Sequence, residues 1–202
     1  MRSRFITSAT DPSGFPPSDR AEFAFFGRSN VGKSTLLNRL AGAKIARVSR
    51  TPGRTQLVNF FDVDAGGRAF RLADLPGYGY AAAPKAVVDR FEPIVLGYLK
   101  HRPVRAALLL LDIRRDLQPD DLSVWSMLEE TVGDRGAELW PVLTKADKLP
   151  KARRKPAAYA VADRFGIDPA HVVVTSAQDR LGIDDLATRL GARAATPPPA
   201  EG

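Results

Sequence analysis

Gly27-Arg28-Ser29-Asn30-Val31-Gly32-Lys33-Ser34 decides how this chain folds. An apolar run, Phe23-Ala24-Phe25-Phe26, precedes it, and a helical pattern, Ser34-Thr35-Leu36-Leu37-Asn38-Arg39-Leu40, follows. Two glycines at this spacing, closed by lysine and serine and set between a strand and a helix, form a phosphate-binding loop. Gly27 and Gly32 let the backbone wrap close to oxyanions, so that successive N–H groups point inward. Lys33 would neutralise the β- and γ-phosphates of a nucleoside triphosphate, and the Ser34 hydroxyl would ligate Mg²⁺. The positive end of the following helix falls at the same place.

Working outward, 202 residues are enough for one well-buried α/β domain and too few for two of ordinary size. The chain has no cysteine, which excludes a disulfide scaffold and any thiolate nucleophile or metal site. No apolar run approaches membrane-spanning length, and no signal-peptide core follows Met1-Arg2-Ser3-Arg4-Phe5. The expectation is a soluble cytoplasmic protein without a membrane partner. A formal charge of +7 exceeds what a nucleotide site alone requires and favours a polyphosphate partner. The local concentrations are Arg102 with Arg105, Arg114-Arg115, and Lys151-Ala152-Arg153-Arg154-Lys155.

The pattern of elements is that of a sheet layered between helices. Residues 1–20 read as an irregular lead-in, residues 21–192 as the folded domain, and residues 193–202, with three consecutive prolines, as a disordered tail. Strands are expected over 22–26, 56–63, 68–74, 106–112, 138–143 and 172–175, with a hairpin turn at Asp64-Ala65-Gly66-Gly67. Helices are expected over 33–40, from about 84 to 100, and over 119–131, 156–165 and 183–190. Alternation of this kind predicts a mostly parallel six-stranded sheet with one antiparallel strand and helices on both faces. Ligands of such sheets sit outside the strand C-termini, and the remaining motifs fall there.

Asp74-Leu75-Pro76-Gly77 ends a strand, where the carboxylate would hold Mg²⁺ through a water and the Gly77 N–H would contact a γ-phosphate. Thr144-Lys145-Ala146-Asp147 follows another strand. Guanine presents N1–H and N2–H₂ side by side, a pair that one carboxylate accepts together and that adenine lacks. Asp147 therefore selects GTP and GDP over adenine nucleotides, with the Lys145 stem along the base plane. Thr175-Ser176-Ala177 ends the last strand, where a backbone N–H would donate to guanine O6.

These motifs, together with Thr51-Pro52-Gly53-Arg54-Thr55-Gln56, the longer Asp74-Leu75-Pro76-Gly77-Tyr78-Gly79-Tyr80-Ala81 and Leu111-Asp112-Ile113-Arg114, resemble the EngB (YihA/YsxC) GTPases. The resemblance runs from about Phe5 to Leu190. It implies a Ras-like P-loop G domain, Mg²⁺-dependent GTP binding, a role in assembling the large ribosomal subunit on its ribosomal RNA, and a link to cell division and septation. It further implies that the nucleotide is held by residues 27–34, by Gly53, Arg54, Thr55, Gln56 and Leu57, by Asp74, Leu75, Pro76 and Gly77, and by Thr144, Lys145, Ala146, Asp147, Thr175, Ser176 and Ala177. Thr55 would join Ser34 as a protein ligand of Mg²⁺. Lys33, Thr55, Gly77 and Asn30 would carry the catalysis.

Tyr78 stands where Ras-type enzymes place a glutamine that orients the attacking water. Slow intrinsic hydrolysis is expected. Asn30 is similar to the phosphate-loop asparagine of potassium-activated relatives, which implies K⁺ as a second cation; the alternative is that Asn30 only shapes the loop. Arg28 and Arg54 are alternative cis arginines. Tyr78 and Tyr80 either pack under the loop after Asp74 or stack on RNA bases, packing being favoured. Trp125 and Trp140 read as core, and neither His101 nor His171 is assigned a catalytic role. A monomer is the default for one small domain. Two further readings stay open: a switch acting on a protein effector, and an efficient stand-alone hydrolase.

Overall fold

The computed structural model describes residues 2–46, 57–65, 68–79 and 85–196. Its centre is a seven-stranded sheet in the order β1-β3-β4-β2-β5-β6-β7. The strands are β1 (Arg2–Ala9), β2 (Ala21–Gly27), β3 (Val58–Ala65), β4 (Arg68–Asp74), β5 (Val104–Asp112), β6 (Glu138–Thr144) and β7 (Val173–Val174). The helices are α1 (Lys33–Ala41), α2 (Lys85–His101), α3 (Pro119–Leu128), α4 (Lys151–Phe165) and α5 (Ile183–Ala195). β3 pairs antiparallel with both β1 and β4, and every other pairing is parallel. The α/β class with a single antiparallel strand therefore holds.

Strand alternation builds two cores. On β2, Phe23 and Phe25 face one side, and Ala24 and Phe26 the other. β5 repeats this with Ala106, Leu108 and Leu110 against Ala107, Leu109 and Leu111. Side chains of two period-2 faces that are both apolar demand cover on each. Leu36, Leu37 and Leu40 of α1 with Ile183, Leu186 and Leu190 of α5 cover the first face. α2, α3 and α4 cover the second, where Trp125 stacks on Phe165 at 4.2 Å between ring centroids. Both tryptophans are core, as expected.

The lead-in is the main correction. The sequence predicts an irregular segment over residues 1–20 and a sheet of six strands; Arg2–Ala9 instead forms β1, an edge strand paired with β3 from Arg2↔Asp64 to Ala9↔Val58. It carries few apolar residues: Ile6 packs against the core and Ala9 is buried, while Phe5 stays half-exposed. Residues after it are fastened to the sheet's lower end. The guanidinium of Arg102 donates to the Pro16 carbonyl at 2.6 Å, and that of Arg71 donates to the Pro17 carbonyl at 2.5 Å. Phe15 packs against Phe60 and Tyr98.

Two helices also depart from expectation. α4 starts at Lys151, five residues before Pro156, with Pro150 at its entry and Pro156 inside it. α5 continues to Ala195, so the expected tail boundary at residue 193 lies within a helix. Residues 197–202, the proline-rich end, lie outside the described residues.

Candidate functional site

The upper edge of the sheet collects the motifs because β2, β4, β5 and β6 are parallel and end in register. Gly27 closes β2, and the loop runs to Gly32, whose φ of 110° opens α1 in a conformation that side chains rarely adopt. The Leu36 N–H donates to the Gly32 carbonyl at 2.9 Å, the first turn of the helix. Lys33 and Ser34 thus stand on the helix N-terminus, where the backbone N–H groups and the dipole favour an anion.

The loop is laced to the segment after β4. The Ser29 N–H donates to the Tyr78 carbonyl at 3.1 Å, and the Tyr78 N–H donates to the Gly27 carbonyl at 3.4 Å. Their approach is tight at Gly77, where an added Cβ would lie 3.0 Å from Ser29 Oγ and 3.3 Å from its backbone nitrogen. The Lys33 ammonium donates to the Asp74 carboxylate and, at 2.6 Å, to the Leu75 carbonyl. Ser29 Oγ is buried with no hydrogen-bond partner among the described residues. A lysine and an unpaired hydroxyl beside a helix N-terminus suit a phosphate chain.

The same loop is tied to the segment after β6. Thr144 Oγ1 donates to the Val31 carbonyl at 2.7 Å, with the Leu111 carbonyl also at 3.1 Å. Lys145, at φ 60°, turns its ammonium back to the Asn30 carbonyl (2.7 Å) and to Asp112 (3.0 Å). Register places Asp112 opposite Thr144, so two neighbouring strand ends share one ion pair. Burial works to raise the Asp112 pKa, but hydrogen bonds from Arg114 and Lys145 outweigh it and hold the carboxyl well below its usual range.

Asp147 accepts from the Ser176 hydroxyl at 2.9 Å and pairs with Lys148 at 3.2 Å. Partial burial opposes ionisation of Asp147, yet these donors lower its pKa, so it is a carboxylate at neutral pH. The Ala146 N–H donates to the Thr175 carbonyl at 3.0 Å, which brings the last motif alongside. Gly32, Thr35, Leu36, Thr144, Lys145, Asp147, Lys148, Thr175, Ala177 and Gln178 line a cavity of about 190 Å³. A carboxylate at its wall, the Lys145 stem and the backbone after Thr175 match the donors and acceptor of guanine.

Tyr78 packs, as favoured: it is buried, and its hydroxyl donates to Asp121 at 2.7 Å. Burial first, and the Asp121 charge second, push its pKa far above the ordinary phenol value. Its polar tip therefore points to the start of α3, where Asp121 also accepts from the Gln118 N–H at 2.9 Å. Arg28 is engaged too, pairing with Asp120 at 2.9 Å and lying over the Tyr78 ring at 5.9 Å.

The structure thus brings together residues 27–34, Asp74 to Gly77, Thr144 to Asp147 and Thr175 to Ala177 on one edge. Gly53, Arg54, Thr55, Gln56 and Tyr80 lie outside the described residues, and Leu57 is exposed just before β3. Roles for Asp112, Asp120 and Asp121 were missed in the sequence. Asp112 ends an apolar strand just as Asp74 does, and that was the available signal. No group of three or more His, Cys, Asp or Glu residues suited to a metal occurs among the described residues. Ser34 and the buried Asp74 nevertheless present hard oxygen donors beside the phosphate loop, which suits Mg²⁺ shared with phosphate oxygens.

A phosphate loop, a strand-end Asp–x–x–Gly and a guanine-type Thr–Lys–x–Asp on one sheet edge define a P-loop GTPase. A family model described as "50S ribosome-binding GTPase" matches residues 22–145. The probable GTP-binding protein EngB of Myxococcus xanthus is 40% identical over 192 residues, covering 92% of this chain and 91% of that protein. The counterpart in Anaeromyxobacter sp. (strain K) is 43% identical over 202 residues, covering 96% and 92%. The chain belongs to the EngB family of GTP-binding proteins, and it is a GTP-hydrolysing enzyme.

Solved structures agree on the fold. A crystal structure of a probable EngB superposes with a TM-score of 0.68 at 24% identity, covering 86% of this chain and 98% of that one. Era, solved with MgGDPNP and nucleotides 1506–1542 of 16S ribosomal RNA, superposes with a TM-score of 0.73 at 20% identity, covering 90% and 59%. No described helix is long and apolar enough to cross a membrane.

Proposed function

We propose that this GTPase is a slow, Mg²⁺-dependent switch that acts in the cytoplasm as a monomer on the large ribosomal subunit during its assembly, and that normal cell division and septation need it. The observation that carries the reading is the lacing of the phosphate loop to Tyr78, and of Tyr78 through Asp121 to α3. A hydrogen bond that Gly77 makes to the γ-phosphate, or releases after hydrolysis, would thereby be felt on the protein surface. The family description names 50S binding, Era's crystal structure holds ribosomal RNA, and a charge of +7 suits the same kind of partner.

Within the site, Asp147 takes the guanine N1–H and N2–H₂, a backbone N–H near Ala177 donates to O6, and Lys33 neutralises the β- and γ-phosphates. Residues 27–34 supply backbone N–H groups. Gly53, Arg54, Gln56 and Leu57 complete the nucleotide's surroundings in this reading. Ser34 and Thr55, with Asp74 through a water, would hold Mg²⁺, which would supply neutralisation of the phosphate charge. Tyr78 does not replace the water-orienting glutamine, because its hydroxyl is spent on Asp121; turnover without a partner is therefore slow.

Asn30, exposed on the loop with its carbonyl held by Lys145, is assigned to K⁺. Hydrolysis is then about tenfold faster in K⁺ than in Na⁺, well short of the 10³–10⁵ that an arginine finger supplies, and Asn30→Ala abolishes the difference. Equal rates in the two salts would leave Asn30 as a loop-shaping residue.

The main test is co-sedimentation with purified large subunits, with GDP and with a non-hydrolysable GTP analogue, at low and moderate salt. Salt-sensitive binding favoured by the analogue is expected. Failure to bind in either state, by protein shown to bind GTP, would remove the mature subunit as partner and favour a protein effector.

A further inference from the structure

A dense cluster of positive charge lies on and just before α4 and, Lys148 apart, takes no part in the nucleotide contacts described above. Between residues 148 and 164 lie six cations, Lys148, Lys151, Arg153, Arg154, Lys155 and Arg164, against one acid, Asp163. That segment carries a surplus of five positive charges. Lys148 is paired with Asp147, but Lys151, Arg153, Arg154 and Lys155 form no ion pair with a described carboxylate. The first turn of α4 contains no acidic residue, although acids are favoured there and cations oppose the helix dipole. Stability does not explain the arrangement.

Beside these cations runs an open groove of about 730 Å³ between α4, β7 and the start of α5. Lys151, Arg154 and Lys155 form its α4 wall, and Tyr159 and Leu181 are half-exposed on it, at 51% and 39%. The Lys155 ammonium lies 5.6 Å from the centre of the Tyr159 ring. Asp168 and Asp185 stand on the opposite wall, Asp168 already accepting from the Ala170 N–H. One wall is cationic, the floor has an exposed aromatic face, and the far wall has hydrogen-bond acceptors. Phosphates, the face of a base and an N–H donor on its edge ask for those three things.

We infer that the α4 groove binds unpaired nucleotides of RNA, with phosphates against Lys151, Arg154 and Lys155 and a base stacked on Tyr159. The inference deepens the proposed function and rests on its RNA partner, but it adds an anchor of a different kind. α4 follows Asp147, at the guanine end of the site, whereas the γ-phosphate contacts lie at Gly77. The anchor therefore holds RNA equally in the GDP and GTP states, and the segments that sense the γ-phosphate decide only the state-dependent remainder.

The test uses the full chain and a fluorescein-labelled oligo(U) probe. Lys151→Gln/Lys155→Gln should weaken binding at least tenfold and lower the slope of log affinity against log salt by about 1.4, two contacts at about 0.7 each. Tyr159→Ala should cost about tenfold for oligo(U) and nothing for an RNA duplex. Arg2→Gln/Lys100→Gln, which removes equal charge from exposed positions elsewhere, should stay within twofold, and Lys151→Arg/Lys155→Arg should bind as wild type. Affinity for fluorescent GDP should be unchanged throughout, which also shows that each variant is folded. Equal loss in the two glutamine pairs, or binding of polyglutamate as tight as that of oligo(U), would overturn the inference. Large subunits separate it from the broader reading. If wild type binds them and the α4 pair does so equally well, the groove is excluded and the ribosomal role stands. If only oligo(U) binds, through α4, the groove stands and the mature subunit is excluded.

Discussion

At the lower end of β2, Glu22 is fully enclosed, taking both Nε (3.0 Å) and Nη2 (2.5 Å) of Arg102 and the Tyr98 hydroxyl at 2.7 Å. Beside it the buried pair Asp62–Arg71 closes at 2.7 Å. At the upper end of the same strand, Lys33 holds Asp74, Lys145 holds Asp112, and Asp147 holds Ser176. Both ends carry charge in a fold with two apolar cores, yet their partners differ in kind. Below, Glu22, Arg102, Asp62 and Arg71 are buried and bonded to one another and to the lead-in, so the network holds the lead-in to the sheet. Above, the groups face an open edge, and a phosphate or a base offers each the same type of bond. A polar network becomes a binding site when its partners can be exchanged, and a staple when they cannot.

The largest effect should come from breaking the staple. Glu22→Ala leaves the Arg102 guanidinium buried without its acid and the Tyr98 hydroxyl without its acceptor. Removing one partner of a buried pair costs about 3–5 kcal/mol. The urea midpoint should fall accordingly, while the folded protein keeps its affinity for GDP within about twofold. A loss below about 1 kcal/mol would mean that water reaches the lower network, and the contrast between the two ends would fail.

Asp147→Asn reverses the pattern. Two charge-assisted bonds to guanine are lost, at about 1.5–3 kcal/mol each, so GDP binding should weaken about 10²- to 10⁴-fold. Xanthosine diphosphate should now bind better than GDP, because its 2-oxo group accepts from the new amide. Stability without nucleotide should change by less than about 1 kcal/mol, since asparagine still accepts from Ser176. Titrations with the two labelled nucleotides, and melts without either, read these separately.

Tyr78 lies between the two kinds. Tyr78→Phe leaves one oxygen of Asp121 without its donor, at a cost of about 1–2 kcal/mol, but the cap on the Gln118 N–H remains. Turnover should stay within about twofold of wild type, because the hydroxyl faces α3 rather than the phosphates. A larger fall in rate at unchanged stability would give Tyr78 a part in the chemistry and overturn slow hydrolysis as a consequence of its packing.

The upper edge was legible in the sequence for a physical reason. Phosphate and base contacts need fixed residue types at fixed spacings, as in Gly27 to Ser34 and Thr144 to Asp147, and those survive without knowledge of the fold. What could not be read depended on distant partners. β1 carries mostly polar residues and becomes a strand only because β3 offers it an edge. Proline suits a first turn, so Pro156 reads as the opening of α4, but Pro150 occupies the entry and Arg154 Nε donates to the Leu149 carbonyl at 3.0 Å. Asp112 and Lys145 meet across 33 positions of sequence, through a strand register that no local pattern encodes. The staple has the same character, with Glu22 and Arg102 separated by 80 positions.

Asp112 gives the smallest effect and the sharpest comparison with Glu22. Both are strand-end acids paired with cations, but Lys145 and Arg114 remain partly in water, with 29% and 42% of their side chains exposed. Asp112→Asn should therefore cost no more than about 1 kcal/mol. The folded pKa of Asp112 lies below its unfolded value, so its stabilisation is complete above about pH 4 and is lost as pH falls through the lower, folded value. The difference between wild type and Asp112→Asn should be flat from neutral pH to about pH 5 and close only in stronger acid. Urea midpoints across that range measure it directly. A difference of about 3 kcal/mol at neutral pH would put Asp112 in the class of Glu22. The upper edge would then be stapled as firmly as the lower one, and the Lys145 ammonium would not be free to exchange partners when nucleotide arrives.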